Sequence, residues 1–168
     1  IERLESLLSR HRLGTPVWSL NESGVVRAPP RELLDVVQQG LDYSALTAGA
    51  FDITIAPVLN LYNSSFSDTG AAPPQEEVLR ALALVGFQHV QVSDREIAFE
   101  RAGMAVSLDG IAKGYIVDRA VAVLRERGAT RVLVNAGGDM ASAGESFEGD
   151  AWRIGLQDPR VVDGSLGV

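Results

Sequence analysis

Three short segments with alternating apolar residues follow one another at residues 89–92, 96–99 and 104–108. The connections between them, residues 93–95 and 100–103, contain no more than four residues each. Parallel strands need a crossover of about a dozen residues or more, so connections this short predict antiparallel pairing. The sequence therefore predicts an antiparallel meander here, which excludes a fold built only from parallel βαβ units.

Apolar residues at helical spacing predict four helices. These helices are expected at residues 1–12, at about 30–44, at 74–85 and at about 110–127. Gly86 stands where a left-handed C-cap is expected for the third helix, and Gly128 follows the fourth. Helices and short strands thus mix without regular alternation, which indicates an α+β fold of antiparallel sheets with packed helices.

The remaining chain divides into extended and irregular segments. Residues 17–21 are expected to be extended or irregular. Strands are expected at 51–55 and 131–135, and a hairpin is expected between 140–143 and 152–156. Residues 60–74 are rich in Asn, Ser, Gly and Pro, which predicts a loop. The whole length of 168 residues fits one domain, so we expect a single domain over residues 1–168.

Charge and composition exclude several classes of partner and site. The net charge of −7 opposes binding to nucleic acid or to anionic lipid. The absence of Cys excludes disulfides and thiolate metal sites, and two His residues make a multi-histidine metal site unfavourable. No apolar run has the length of a membrane span, so we expect no span in this chain, although a signal or lipid anchor upstream of Ile1 stays open.

The densest cluster of candidate functional residues lies where a predicted strand runs into the fourth helix. Asp109 is placed to cap that helix, and Gly110 and Gly114 leave its first turn open to a ligand. Lys113 opposes the helix dipole, which favours a bound anion such as phosphate. Asp109 would repel a phosphate unless a divalent cation lies between them. The alternative is an ordinary cap beside a solvated lysine.

Two further segments combine small residues with polar side chains. In the first, Asp52 and Thr54 are predicted to share one face of a strand, which is either functional or merely exposed to solvent. In the second, Gly137 and Gly138 bend the backbone between two polar residues, Asn135 and Asp139. That turn would suit a ribose or a base edge, but tight turns use the same residues.

Three motifs together resemble the FAD:protein FMN transferase family, also called ApbE flavin transferases. Residues 49–57 read GAFDITIAP, which is similar to the family pattern G-x-F-D-P-T-x-x-P. Residues 107–115 read SLDGIAKGY and are followed by Asp118 and Arg119, similar to D-L-G-G-I-A-K-G-Y-x-x-D-R. Residues 134–139 read VNAGGD, similar to V-N-x-G-G-D. Leu20 and Asn21 fall where the family has a further Leu-Asn pair.

The resemblance implies an α+β fold related to T-fold proteins and an exported, periplasmic or cell-envelope enzyme. It implies transfer of FMN from FAD to a Thr or Ser hydroxyl of an acceptor flavoprotein, with Mg²⁺ required and AMP released. FAD pyrophosphatase activity and a non-catalytic flavin-binding module stay open as alternatives. The implied FAD-binding residues are Asn21, Asp52, Thr54, Ser107, Asp109, Gly110, Ile111, Ala112, Lys113, Tyr115, Asn135, Gly137, Gly138 and Asp139.

Further expectations concern the metal and the ways in which this chain departs from the family pattern. The resemblance implies a metal ligand in the backbone carbonyl of Ala112, and it places Asn21 near the flavin. Ser107 stands where the family often has Asp, Asp109 where it often has Gly, and Ile53 where it often has Pro. No N-cap residue precedes the first predicted helix, so we expect the chain to lack its native start. The family continues into segments with side-chain metal ligands, so we expect the chain to lack its C-terminal part as well. The acceptor, the general base and the oligomeric state stay open.

Overall fold

The computed structural model describes residues 1–160 and 165–167. The chain divides into two compact units, residues 1–116 and residues 117–168. The boundary falls inside the helix that the sequence predicts after Gly110. The single domain over residues 1–168 stays a prediction.

The first unit contains five complete helices and three strands among the described residues. The helices are α1 (Glu2–Leu8), α2 (Pro16–Ser23), α3 (Arg31–Leu46), α4 (Ala56–Thr69) and α5 (Gln75–Leu82). The strands are β1 (Val25–Arg27), β2 (Val90–Val92) and β3 (Glu96–Phe99). Two short 3₁₀ helices, Ile53–Ile55 and Phe87–His89, precede α4 and β2.

The three strands form one antiparallel sheet in the order β1-β3-β2. In that sheet Val25 lies opposite Ala98, and Val90 lies opposite Phe99. The predicted α+β class and the antiparallel hairpin of β2 and β3 are therefore confirmed. The third strand of the sheet is β1, which the sequence did not predict.

Helix α3 supplies much of the buried core of this unit. Leu33, Val36 and Val37 are fully buried on one face of the helix, as its apolar spacing predicts. Gly40 lies on the same helix against Ile53, so closely that a Cβ atom at Gly40 would be 2.7 Å from Ile53 Cγ2. This close packing holds the 3₁₀ helix that precedes α4 against α3.

The prediction of extended or irregular structure at residues 17–21 is wrong, because these residues belong to α2. The hydroxyl of Thr15 caps the helix by accepting a hydrogen bond from the backbone N–H of Trp18 at 3.1 Å. Pro16 occupies the first turn, where its missing N–H is tolerated. The preceding helix, α1, stops at Leu8, whereas the sequence predicts it to residue 12.

The strand predicted at residues 51–55 is also wrong, and the loop predicted at 60–74 is wrong for residues 60–69, which belong to α4, and correct for 70–74. Asp52 caps the 3₁₀ helix Ile53–Ile55, and Pro57 lies in the first turn of α4 instead of ending a strand. The polar residues that suggested a loop cover the exposed side of α4. Helix α4 ends only at Gly70, in the left-handed conformation.

Residues 104–108 are buried but form no strand. Their backbone is satisfied by other groups: the Asn21 side chain bonds both backbone polar groups of Val106, and Ser107 N–H donates to the Ile53 carbonyl. The apolar pattern thus identified a buried segment correctly and its strand pairing wrongly. Gly86 is likewise not the C-cap of α5, which ends at Leu82 and has Ala83 as its C-cap.

The second unit is entered through α6 (Ala112–Glu126), which begins in the first unit. Strands β4 (Val132–Ala136) and β5 (Asp139–Ala143) form an antiparallel hairpin, and β6 (Leu156–Gln157) pairs with β7 (Ser165–Gly167). The expected hairpin of 140–143 with 152–156 is wrong, because β5 pairs with β4 instead. Among the described residues, no helix has the length and apolar character to cross a lipid bilayer.

Candidate functional site

A cleft of about 420 Å³ in the first unit brings two of the candidate segments together. This volume lies within the range of about 300–1,000 Å³ that is typical of small-molecule sites. The residues that line the cleft are Gly49, Ala50, Phe51, Asp52, Ile55, Leu59, Leu82, Val85, Ser107, Asp109 and Gly110. We call Leu59, Leu82 and Val85 the apolar wall of the cleft, and Ser107, Asp109 and Gly110 its polar wall.

Asp52 and Thr54 form a hydrogen-bonded clamp at one side of the cleft. Asp52 Oδ1 accepts from the N–H and the hydroxyl of Thr54 at 2.8 and 2.7 Å, and Oδ2 accepts from Phe87 N–H at 3.0 Å. The hydroxyl oxygen of Thr54 accepts from Gly86 N–H at 2.8 Å. The two side chains thus hold the connection after α5, next to Val85 in the apolar wall. Thr54 itself is 0% exposed, so its hydroxyl serves this clamp.

Asn21 holds the inner backbone of the polar wall. Its Nδ2 donates to the Val106 carbonyl at 2.9 Å, and its Oδ1 accepts from Val106 N–H at 2.8 Å. The amide thereby replaces a neighbouring strand for this buried residue. Ser107, next along the chain, is buried and accepts a hydrogen bond from Asp109 N–H at 3.3 Å.

Asp109 is held by an arginine from a distant part of the first unit. Arg10 Nε donates to Asp109 Oδ2 at 2.9 Å, and Arg10 Nη1 donates to Asn60 Oδ1 at 2.8 Å. Partial burial by itself would raise the pKa of Asp109. The hydrogen bonds from Arg10 and Ser107, together with the charges of Arg10 and His11, outweigh that effect and place the pKa below its ordinary value of 3.8. The carboxylate is therefore ionised at neutral pH.

The start of α6 is packed more tightly than the sequence suggested. The N–H groups of Ile111 and Ala112 both donate to the Leu108 carbonyl, at 3.0 and 2.7 Å, so these two donors are already used. A Cβ atom on Gly110 would be 3.2 Å from the Phe51 ring. Ile111, Ala112 and Tyr115 pack partly buried against the core, whereas Lys113 is exposed in the first turn.

The turn at Gly137 and Gly138 lies in the second unit and links β4 to β5. Both glycines have positive φ angles, 65° and 101°, as a two-residue type I′ hairpin turn requires. Asn135 Oδ1 accepts a hydrogen bond from Gly138 N–H at 2.9 Å, and Asp139 opposes Ala136 at the end of the ladder. The residues thus build the tight turn that the sequence left as one alternative, and their role toward FAD stays a prediction.

The sequence of the chain matches a known protein family. A model of the ApbE family matches residues 1–168. The chain belongs to the ApbE family. Curated FAD:protein FMN transferases of Salmonella typhimurium and Klebsiella pneumoniae are 29% and 32% identical to it, over 91% and 95% of this chain. These matches cover 46% and 49% of the two relatives, so this ApbE-family chain spans about half their length.

Solved structures agree with the family assignment. The apo flavinyl transferase ApbE of Pseudomonas stutzeri superposes with a TM-score of 0.85 at 28% identity, covering 99% of this chain and 54% of that one. The ApbE protein of Thermotoga maritima superposes with a TM-score of 0.86 at 28% identity, covering 98% and 54%. The α+β architecture of this ApbE-family member is thereby confirmed by comparison.

The described residues do not by themselves assemble a magnesium site. In residues 1–160 and 165–167, no group of three or more His, Cys, Asp or Glu side chains is placed to hold a metal ion. Asp109, the acidic residue nearest the start of α6, already binds Arg10 through Oδ2. Mg²⁺ prefers several oxygen ligands in octahedral geometry, and this donor set falls short of that.

Sequence reasoning missed Arg10 and Asn60 in this ApbE-family chain. Arg10 falls within the helix predicted at residues 1–12, and Asn60 within the loop predicted at residues 60–74. The structure places Arg10 after the end of α1 and Asn60 within α4. Nothing local signals that Arg10 bonds both Asp109 and Asn60, since these residues lie 99 and 50 positions away from it. The family pattern offers only an indirect signal, namely an unexpected carboxylate at Asp109 that requires a cation.

Proposed function

We propose that the protein transfers FMN from FAD to a Thr or Ser hydroxyl of an acceptor flavoprotein and releases AMP. The observation that carries the proposal is the cleft in which Asp52, from the first family motif, and Ser107, Asp109 and Gly110, from the second, lie together. The relatives of the chain are FAD:protein FMN transferases, which supports this choice of reaction.

The proposed reaction is a phosphoryl transfer with a nucleotide leaving group. The acceptor hydroxyl oxygen attacks the phosphorus of the FMN half and forms a new P–O bond. The bond between that phosphorus and the bridging oxygen breaks, its electron pair leaves with AMP, and the hydroxyl proton passes to solvent or a base. Such reactions depend mostly on positioning and on charge stabilisation.

The residues of the cleft suit the binding part of that task. The apolar wall, which includes Leu59, Leu82 and Val85, suits a flat ring system of FAD and excludes water from its face. The polar wall at Ser107 and Asp109 then faces the more polar part of the ligand. Lys113 in the first turn of α6 supplies a positive charge for the diphosphate.

Mg²⁺ is part of the proposal as an expected requirement. The ion would neutralise phosphate charge, and the backbone carbonyl of Ala112 is the ligand that the family resemblance implies. Because the described side chains provide an incomplete donor set, further ligands would come from FAD, water or other residues. The assignments of Asn135, Gly137, Gly138 and Asp139 to FAD belong to this proposal as well.

The site of action is proposed from the family resemblance alone. We expect an exported protein that acts in the periplasm or cell envelope on a flavoprotein with a target Thr or Ser. Cell fractionation of the producing organism, followed by immunodetection, measures this directly. Detection in the cytoplasmic fraction alone would contradict it.

The deciding experiment incubates the protein with FAD, Mg²⁺ and a candidate acceptor. AMP is measured by chromatography, and the acceptor is examined by mass spectrometry for covalently bound FMN. AMP together with modified acceptor supports the transferase. Free FMN with unmodified acceptor supports FAD pyrophosphatase activity instead, and FAD binding without AMP supports a flavin-binding module. A parallel reaction with chelator in place of Mg²⁺ tests the metal requirement.

A further inference from the structure

The Arg10 side chain joins the two walls of the cleft. Its Nε binds Asp109 in the polar wall, and its Nη1 binds Asn60 in α4, next to Leu59 of the apolar wall. The side chain is only 10% exposed, so its guanidinium is largely withdrawn from water. A planar guanidinium with several N–H donors is suited to hold two acceptors in fixed positions at once.

Asp109 brings an electrostatic problem to the cleft. Its side chain is 54% exposed and lines the cavity, and its pKa lies below the ordinary value, so it carries a negative charge at neutral pH. FAD carries a diphosphate, which is also negative. Like charges a few ångström apart in partly buried surroundings repel each other. The net charge of −7 of the chain adds to this repulsion.

We infer that Arg10 is the residue that lets the cleft accept a negatively charged diphosphate despite Asp109. Arg10 cancels the charge of the carboxylate and holds it in place through the bond to Nε. It is a positioning residue, because it acts through Asp109 rather than on the reacting atoms. This inference rests on the proposed function, in which the ligand is FAD.

The test compares ligands that differ in their phosphate charge. FAD and riboflavin are titrated by flavin fluorescence, and inorganic pyrophosphate by calorimetry, against the unmodified protein and five variants. The variants are Arg10→Gln, Arg10→Lys, Asp109→Asn, the double variant R10Q/D109N and, as matched control, Arg12→Gln. Arg12 is exposed and bonds Ser6, so its loss removes the same charge away from the cleft.

The expected pattern separates charge from structure. Arg10→Gln should weaken the binding of FAD and of pyrophosphate about tenfold, while the affinity for riboflavin changes less than about twofold. Arg10→Lys, which keeps the charge with one nitrogen, should retain affinity within about threefold, and the double variant should recover to a similar level. Asp109→Asn should bind FAD at least as tightly as the unmodified protein does. The control Arg12→Gln should bind all three ligands as the unmodified protein does.

Each contrary result has a distinct meaning. Equal weakening of FAD and riboflavin by Arg10→Gln, without recovery in the double variant, would reduce Arg10 to a structural role and overturn the inference. The same holds if Arg10→Gln does not fold and Asp109→Asn then binds FAD more weakly. If Arg10→Gln weakens pyrophosphate binding as expected but neither FAD nor riboflavin binds to the protein, the inference stands and the proposed function is wrong. Failure of the unmodified protein to bind any probe would overturn both.

Discussion

The clamp between Asp52 and Thr54 allows a substitution whose effect follows directly from the hydrogen bonds of the structure. Thr54→Val keeps the branched shape of a fully buried side chain and removes only the hydroxyl. The hydroxyl donates to Asp52 at 2.7 Å and accepts from Gly86 N–H at 2.8 Å. The substitution thus removes a bond to a charged group and leaves a backbone donor without its acceptor.

The magnitude depends on how much water reaches the broken bonds. A hydrogen bond to a charged group contributes about 1.5–3 kcal/mol, and an unsatisfied buried donor costs about 1–3 kcal/mol. Gly86 is only half-buried, so water satisfies part of its lost bond. We therefore expect the free energy of unfolding to fall by about 2–3 kcal/mol, and Tm to fall by roughly 4–12 °C for a chain of this size.

The assay is urea unfolding monitored by circular dichroism, with FAD titration as a second measurement. Thr69→Val is the matched control, because Thr69 is exposed at the end of α4 and water replaces its hydrogen bonds. We expect the control to change stability by less than about 0.5 kcal/mol. Thr54→Val should also weaken FAD binding, because the clamp holds the connection beside Val85. Equal stability of the two variants would refute the argument that the clamp holds this wall.

Four further outcomes are expected. Asn21→Ala should lower the free energy of unfolding by about 2 kcal/mol in urea, because two bonds to the buried coil backbone are lost; unchanged stability would contradict the bridging role. Gly110→Ala should weaken FAD binding in a fluorescence titration, because its Cβ would press on the ring 3.2 Å away. Lys113→Ala should weaken the binding of FAD more than that of FMN, and equal weakening of both would contradict a contact between Lys113 and the diphosphate. The pKa of Asp109 is lower in the folded protein than its unfolded value of 3.8, so the ion pair with Arg10 stabilises the fold above pH 3.8. This stabilisation is lost as the pH falls through the folded pKa. The free energy of unfolding, measured from about pH 6 down to about pH 2, should therefore fall less in Asp109→Asn than in the unmodified protein.

The sequence predicted those elements whose own side chains determine them. Helix α6 shows a helical period of apolar residues, and β2 and β3 are joined by a short polar turn, so both were recognised. The segment from Phe51 to Thr69 was not recognised, because Asp52 and Pro57 are compatible both with a strand that ends at the proline and with a helix that begins there. A proline that ends a strand also starts a helix, and only the cap by Asp52 distinguishes the two.

The sequence predicted several residues of the candidate site but not the hydrogen bonds that hold them in place. The sequence identified Asp52, Ser107, Asp109 and Gly110, which line one cleft. It could not show that Thr54 is buried in a clamp, since strand alternation placed it beside Asp52 on a face that would be open. It also could not find Arg10, because a hydrogen bond across 99 positions depends on the assembled fold.

The side-chain bridge from Asn21 to Val106 has a consequence for the order of folding. It joins residues that are 85 positions apart, so it forms only after the intervening helices and strands have brought these two segments together. The amide proton of Val106 is held by a side chain rather than by a strand, and its exchange with solvent therefore reports on this one bridge. We expect it to exchange faster than the amides of α3, which would place the inner wall of the cleft among the regions that open before the core unfolds.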